Sequence, residues 1–244
     1  MFYLLLFIVV ILASTLSALF GLAGGTIIMA VFTWTLGIKA AVPLHSTVQL
    51  VGNVARIGVY YALIEWKIVR YFVVLTLPGA YLGGLCINLF DEKWLEFGVG
   101  FFILLTLVLP AKKKDSETNY KNFVLLGFLS SFLGMIVAVS GPFIASFFVM
   151  NRITKEKLIA TKSVCQGITQ IVKLIVFVSI VHFSFEKYGG LLFWLSVAAI
   201  VGTFLGRYLI NFLNEKTYNQ LNNWLLFVIA SAMIVVAFIK ILQS

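Results

Sequence analysis

Charged residues are scarce in this chain. They make up 11% of its 244 residues, and only nine of them are Asp or Glu; a soluble domain has about 25% charged residues. This inventory cannot cover a water-soluble surface. Because hydrophobic residues account for 61% of the chain and mean hydropathy is +1.06, the composition predicts a protein that is nearly all membrane domain.

The chain also lacks the motifs of redox, metal and nucleotide chemistry. Its two cysteines, Cys86 and Cys165, lie in apolar segments and form no CxxC pair. There is no GxxxxGK[ST] phosphate loop and no HExxH zinc motif. We therefore expect no catalytic residues, no metal, no cofactor and no use of ATP. The net charge of +9 comes from residues scattered between apolar segments, which argues against nucleic acid as a partner.

Apolar segments follow one another along the whole chain. About 20 apolar residues suffice to cross a bilayer as a helix. No Lys or Arg precedes Lys39, so the first segment lacks the basic start of a signal peptide and is expected to be a retained membrane helix. The chain is thus predicted to be an all-α, multi-pass protein of the cell (inner or plasma) membrane. The segments run over residues 2–20, 25–36, 43–63, 71–90, 95–110, 122–139, 142–150, 158–181, 188–213 and 218–242.

A polar stretch at 112–121 separates two halves that resemble each other. We divide the chain into a first membrane repeat (1–111), a linker (112–121) and a second membrane repeat (122–244). An offset of 117 superimposes polar residues of the two halves: His45 on Lys162, Ser46 on Ser163, Gln49 on Gln166, Asn53 on Gln170 and Arg56 on Lys173. Matches in the same order along both halves predict an internal repeat.

The two repeats are predicted to be inverted relative to each other. Each begins with a short apolar stretch interrupted by Gly24-Gly25 or by Ser140-Gly141-Pro142, which suits a broken or re-entrant hairpin. Three transmembrane helices follow each hairpin, so each half crosses an odd number of times and the second copy is flipped. This topology places eleven loop Lys and Arg residues on one side and four on the other. By the positive-inside rule, the linker is then cytoplasmic and both termini are outside.

Basic residues inside the apolar segments point to the chemistry. Arg56, Lys162 and Lys173 have no Asp or Glu mid-segment beside them, because all nine carboxylates lie in or near predicted loops and helix ends. A bound anion is the simplest counter-charge for cations at membrane depth. Residues 45, 49, 53 and 56, and likewise 162, 166, 170 and 173, are spaced to share one helix face. The open alternative is that the lysines snorkel to the membrane interface.

The two hairpin breaks add a second predicted element of the site. A helix that starts after a glycine presents free backbone N–H groups and a positive dipole end to an anion. Helix kinks or close packing at these glycines are the alternative. His45 is read equally as a proton-coupling group or as a structural histidine. The candidate substrate-binding residues are Gly24, Gly25, Thr26, His45, Ser46, Gln49, Asn53, Arg56, Ser140, Gly141, Lys162, Ser163, Gln166, Gln170 and Lys173.

These motifs together resemble those of the sulfite exporter TauE/SafE family. The resemblance rests on Gly21-Leu-Ala-Gly-Gly-Thr26, the polar helix His45-Ser-Thr…Asn53-Val-Ala-Arg56, the basic linker and the degenerate copy Ser140-Gly-Pro142. It covers essentially the whole chain. It implies a bacterial or archaeal inner-membrane transporter of sulfur-containing oxyanions such as sulfite or organosulfonates. The second half departs from the family pattern, because Ser140-Gly141-Pro142 replaces a longer glycine run.

The buried basic residues predict transport of a small anion, and the family resemblance implies a secondary transporter whose anion contains sulfur. The partners are the anionic substrate and the lipid bilayer, and the sequence leaves open whether the chain acts alone or as a homodimer. A passive anion channel is the alternative, and an intramembrane enzyme ranks third because the chain has neither paired carboxylates at membrane depth nor an HExxH motif. We further predict that Arg56 and Lys173, at equivalent positions of the two halves, share one anion.

Overall fold

The computed structural model describes residues 2–20, 24–87, 89, 91–108, 120–136, 141, 144, 155–180, 182–209 and 215–242. All regular structure in these ranges is helical, as the composition predicts. The helices are α1 (Phe2–Phe20), α2 (Gly24–Leu36), α3 (Ile38–Tyr60), α4 (Trp66–Val73), α5 (Thr76–Ile87), α6 (Glu92–Val108), α7 (Asn122–Ile136), α8 (Lys155–Ser179), α9 (Gly189–Leu209) and α10 (Glu215–Leu242). Two 3-10 turns, Tyr61–Leu63 and Glu186–Tyr188, lie between helices.

Helix length and composition fit a multi-pass membrane protein. Two described helices, Lys157–Ser179 and Glu186–Leu209, are long and apolar enough to cross a membrane, and the bent pair α4–α5 is a third if its two helices are counted as one span. The helix α3 has 23 residues but lower hydropathy, because one of its faces is polar. The helix α2 has 13 residues, or about 20 Å, which is short of the roughly 30 Å hydrocarbon core.

The distribution of side chains is that of a protein surrounded by lipid. Large apolar residues are exposed on the outer faces, including Leu12, Leu77, Phe193 and Phe227. A surface of this kind would cause a water-soluble monomer to associate. Polar and charged side chains are instead buried, mainly on α3 and α8. Among the described residues, many polar side chains are therefore buried and many large apolar side chains are exposed.

Two helix connections differ from a simple succession of straight spans. Gly37 alone connects α2 to α3, with φ at 76°, a conformation that glycine adopts without a steric cost. The apolar segment predicted at 71–90 is broken, because α4 ends at Val73 and α5 continues at an angle of 45°. Pro78 explains the break, since its ring clashes with the carbonyl of residue 74 and it has no N–H to donate.

The first helix of each half packs against the other half. The helix α1 lies along α9, and α7 lies along α5. The pairs α3 with α8 and α6 with α10 complete the main contacts. When the two halves are exchanged, the pair α1–α9 corresponds to the pair α7–α5, and the pairs α3–α8 and α6–α10 each correspond to themselves.

Glycines allow these two interhelical contacts to be close. A Cβ atom on Gly79 would lie 2.4 Å from the carbonyl oxygen of Phe128, and one on Gly202 would lie 2.4 Å from that of Ile11. One turn further on, Gly83 faces Phe132 and Gly206 faces Thr15 in the same way. These four glycines therefore act in close helix packing. The carbonyl partners, at 11 and 128 and at 15 and 132, are separated by the offset of 117 that relates the polar stripes.

Candidate anion-binding site

The polar faces of α3 and α8 lie against each other, and the two helices run in opposite directions. Arg56 on α3 contacts Ser163 on α8. Asn53 lies opposite Gly167, whose Cβ position would be 3.8 Å from the Asn53 Cβ atom. Nearer the start of α3, His45 lies close to Lys173. Partner numbers on α8 therefore rise as those on α3 fall, which defines an antiparallel pair.

The two polar stripes predicted from the sequence are buried at this contact. The exposed fraction is 3% for Arg56 and Lys162 and 0% for Lys173. These lysines are enclosed by protein, so the interpretation that they snorkel to the interface is wrong. On the far faces of the two helices, Val54 and Ile171 are 58% and 47% exposed. The 3.6-residue repeat thus separates a polar buried face from an apolar outer face.

Arg56 and Lys162 form what we call the Arg56 cluster. The guanidinium donates from Nε to Ser163 Oγ at 3.3 Å and from Nη2 to Asn53 Oδ1 at 2.6 Å. Ser163 gives its own proton to the Ile159 carbonyl at 2.8 Å, so its oxygen is an acceptor for Arg56. Lys162 is near enough for its charge to repel that of Arg56. Two buried cations are therefore brought together by neutral neighbours.

No carboxylate neutralises the Arg56 cluster within the described ranges. The ion pair found there joins Lys157 to Glu65, and both of those side chains are partly exposed, at 46% and 39%. Glu65 is also tied to α8 by its backbone N–H, which donates to Thr161 Oγ1 at 2.9 Å. An isolated charge in a low-dielectric site is costly unless it is paired. The arrangement favours a bound anion as the missing partner.

His45 and Lys173 form a second group, which we call the His45 cluster. The Nε2 atom of His45 is 3.0 Å from the carbonyl oxygen of Gly25, and because a carbonyl only accepts, Nε2 carries the proton. The other ring nitrogen, Nδ1, is buried and has no hydrogen-bond partner. Ser46 donates to the Val42 carbonyl at 2.9 Å, as Ser163 does at the equivalent position of α8. The imidazole thus ties α3 to the first turn of α2.

Two buried amide groups between the clusters also have open hydrogen-bonding atoms. Asn53 Nδ2 and Gln170 Oε1 are buried without a hydrogen-bond partner. These residues occupy equivalent positions in the two halves. Unsatisfied polar atoms of this kind are rare in native proteins, and each points to a missing ligand or water. They add to the polar lining between Arg56 and His45.

The structure brings together some of the predicted site residues and separates others. Arg56 and Lys173 do not pair, because Arg56 lies with Lys162 and Lys173 lies with His45. Gly25 faces the site, since its Cβ position would be 2.9 Å from Gln49 Nε2. Gly24 instead packs on α1, with its Cβ position 1.9 Å from the Ala13 carbonyl oxygen.

The other predicted residues are placed as follows. Thr26 is buried in α2, and Gln166 is half-buried on α8. Gly141 is helical and buried, whereas Ser140 lies outside the described residues. Most of the second hairpin also lies outside them, so its predicted part in the site stays a prediction.

Three residues near the clusters were not predicted from the sequence. A Cβ atom on Gly52 would lie 3.7 and 3.8 Å from the two terminal nitrogens of Arg56 and 4.0 Å from Thr203 Oγ1. Thr203 donates its proton to the Ala199 carbonyl at 2.9 Å, so its oxygen is left as an acceptor near the guanidinium. Gly167 supplies the gap opposite Asn53. Thr203 lies on α9, and no periodic pattern links it to α3.

An apolar outer surface around polar and basic side chains buried between antiparallel helices is the architecture of a polytopic membrane protein. Residues 6–233 match the model of the sulfite exporter TauE/SafE family, and the chain belongs to that family, which consists of polytopic membrane transporters and not of enzymes. It is also 26% identical over 153 residues to the "Probable membrane transporter protein MJ0441" of Methanocaldococcus jannaschii. That match spans 56% of this chain and 57% of the relative. No solved structure matches the chain.

Proposed function

We propose that the protein is a secondary transporter of a small sulfur-containing anion, of the sulfite or organosulfonate type. The observation that carries the proposal is the Arg56 cluster, in which two buried cations have no carboxylate partner among the described residues. Family membership supports the transport part, and the description of the family supports sulfite chemistry. Substrate and mechanism are our inference.

The donors around the cluster suit an oxyanion. A guanidinium can give two parallel hydrogen bonds to neighbouring oxygens, and an ammonium can give a third from another direction. Arg56 and Lys162 offer these groups, and Asn53 adds an amide nitrogen whose hydrogens are not used. A compact anion with several oxygens, such as a sulfite or sulfonate group, could accept from all three. Such charge-assisted bonds would offset the cost of desolvating the cations.

Alternating access between the two halves is the transport mechanism we infer. The equivalent helices α3 and α8 run antiparallel, which is the relation expected for repeats inverted in the membrane. Two further observations support this arrangement: the exchanged pairs α1–α9 and α5–α7, and the uneven distribution of loop lysines and arginines. The candidate site lies at the contact between the halves. Rocking of one half against the other would then expose it to each side in turn.

Counterflow in proteoliposomes tests the proposal. Vesicles loaded with unlabelled sulfite should take up labelled sulfite faster than empty vesicles, and uptake should saturate. Arg56→Gln should abolish both effects, whereas Arg207→Gln should not, because Arg207 is exposed at the end of α9. Uptake that neither saturates nor shows counterflow would favour the anion channel. Normal transport by Arg56→Gln would refute the site.

A further inference from the structure

The Arg56 cluster and the His45 cluster occupy equivalent positions of the two halves. The Arg56 cluster takes Arg56 from the first half and Lys162 from the second. The His45 cluster takes His45 from the first half and Lys173 from the second. The offset of 117 makes His45 equivalent to Lys162 and Arg56 equivalent to Lys173. Exchanging the two halves therefore exchanges the two clusters. Each cluster thus combines the first basic residue of one polar stripe, on α3 or α8, with the last basic residue of the other stripe.

The clusters are too far apart to bind the same small anion. Along α3, His45 and Arg56 are separated by about 16 Å at 1.5 Å per residue. Charge-assisted hydrogen bonds require donor–acceptor distances of about 2.7–2.9 Å. A sulfite or sulfonate group is only a few ångströms across, so it can contact one cluster at a time. The antiparallel course of α3 and α8 makes this separation unavoidable.

Uncharged amide side chains and glycines line the space between the two clusters. The unpartnered amide atoms of Asn53 and Gln170 lie on the two facing stripes. Glycine occupies the crossing on each helix, at Gly52 and at Gly167, and Gly167 leaves room beside Asn53. The open Nδ2 group of Asn53 can donate to an anion without adding a charge that would trap it, whereas the open atom of Gln170 is its acceptor oxygen.

From this geometry we propose that the Arg56 cluster and the His45 cluster are two separate oxyanion subsites along one path, with the amides of Asn53 and Gln170 between them. The inference rests on the proposed function and deepens it, because it replaces one shared anion with two successive positions. The subsites are unequal. The Arg56 cluster offers a guanidinium and an ammonium, whereas in the His45 cluster Lys173 offers an ammonium and the Nε2–H of His45 is already donated to the Gly25 carbonyl. The Arg56 subsite is therefore the tighter one.

Calorimetry on the purified full chain tests the inference, with sulfite under anaerobic conditions and ethanesulfonate as probes. The wild type should bind two anions with different affinities. Arg56→Gln should remove the tighter event and leave the weaker one, Lys173→Gln should do the reverse, and the double variant should bind none. Arg207→Gln is the matched control and should keep both events. Arg56→Lys and Lys173→Arg retain a cation, and each should weaken only its own event, by about tenfold.

The outcomes separate this inference from the proposed function. A single binding event that either Gln variant abolishes would mean one shared anion, which overturns the two subsites and leaves the transport proposal standing. Binding that survives in the double variant, or no binding of either probe to the wild type, would overturn both. Should a Gln variant fail to give a monodisperse protein, the Lys and Arg variants decide between one event and two.

Discussion

At the scale of single residues, the neighbours Gly24 and Gly25 have different surroundings. A methyl group on Gly25 would meet the flexible end of Gln49, at 2.9 Å, whereas one on Gly24 would meet the Ala13 backbone oxygen, at 1.9 Å. Gly25→Ala should therefore keep the fold and displace an amide from the site. The loss of one hydrogen bond to a charged ligand costs about 1.5 kcal/mol, or about tenfold in Kd.

Gly24→Ala is the matched variant for this prediction. Overpacking against backbone costs about 1–3 kcal/mol or more, so we expect a clear loss of thermal stability in detergent. Thermal unfolding and anion calorimetry on both variants separate the two roles. Equal loss of stability in both variants would show that Gly25 is also a packing residue and has no special relation to the site.

The sequence predicts single residues well where periodicity applies and poorly where it does not. Spacing alone identified the polar stripes that hold Arg56 and Lys162, because helix geometry determines which residues share a face. It did not give the partner of Arg56. The offset of 117 identifies Lys173 as the residue equivalent to Arg56. Because α3 and α8 run antiparallel, Arg56 at the end of one stripe instead lies beside Lys162 at the start of the other. Thr203 has no such signal, since it comes from a third helix.

At the scale of helices, the glycine contacts should be equally sensitive in both halves. Gly79→Ala and Gly202→Ala each place a methyl group 2.4 Å from a backbone carbonyl oxygen of the packed helix. We expect each to lower the unfolding temperature, at a cost of about 1–3 kcal/mol. Gly58→Ala is the control, because nothing lies within 4 Å of its Cβ position and alanine favours a helix by about 0.5–1 kcal/mol. Unchanged stability in Gly202→Ala would show that α1 and α9 can separate slightly without loss.

Helix boundaries show how much of the fold the sequence contains. The apolar segments within the described ranges correspond to helices, whereas most of the segment 142–150 lies outside the described residues. The bend between α4 and α5 was missed although Pro78 signals it, because hydropathy alone treats residues 71–90 as one run. The way the halves interlock could not be derived from either half, since it depends on contacts between helices far apart in the chain.

At the scale of the whole molecule, the predicted topology places the linker 112–121 in the cytoplasm. A single cysteine introduced by Ser116→Cys in a variant without Cys86 and Cys165 should not react with an impermeant maleimide added to intact cells. It should react after the cells are opened, because the excess of loop lysines and arginines retains that side in the cytoplasm. A cysteine replacing Lys187, on the opposite predicted side, is the positive control. Rapid labelling of Ser116→Cys in intact cells would show that the linker lies outside and that the predicted orientation is wrong.

The exchanged helix pairs have a consequence for biosynthesis. The α5–α7 contact can close soon after α7 leaves the ribosome, because only α6 and the linker separate the two helices. The α1–α9 contact must wait for nearly the entire chain: at about 5–20 residues per second, α1 is in the membrane for roughly 10–40 s before α9 is made. During that interval the α1 surface that Gly202 and Gly206 will cover is open to lipid or to the insertion machinery. A nascent chain interrupted before α9 therefore leaves this face of α1 without its packing partner.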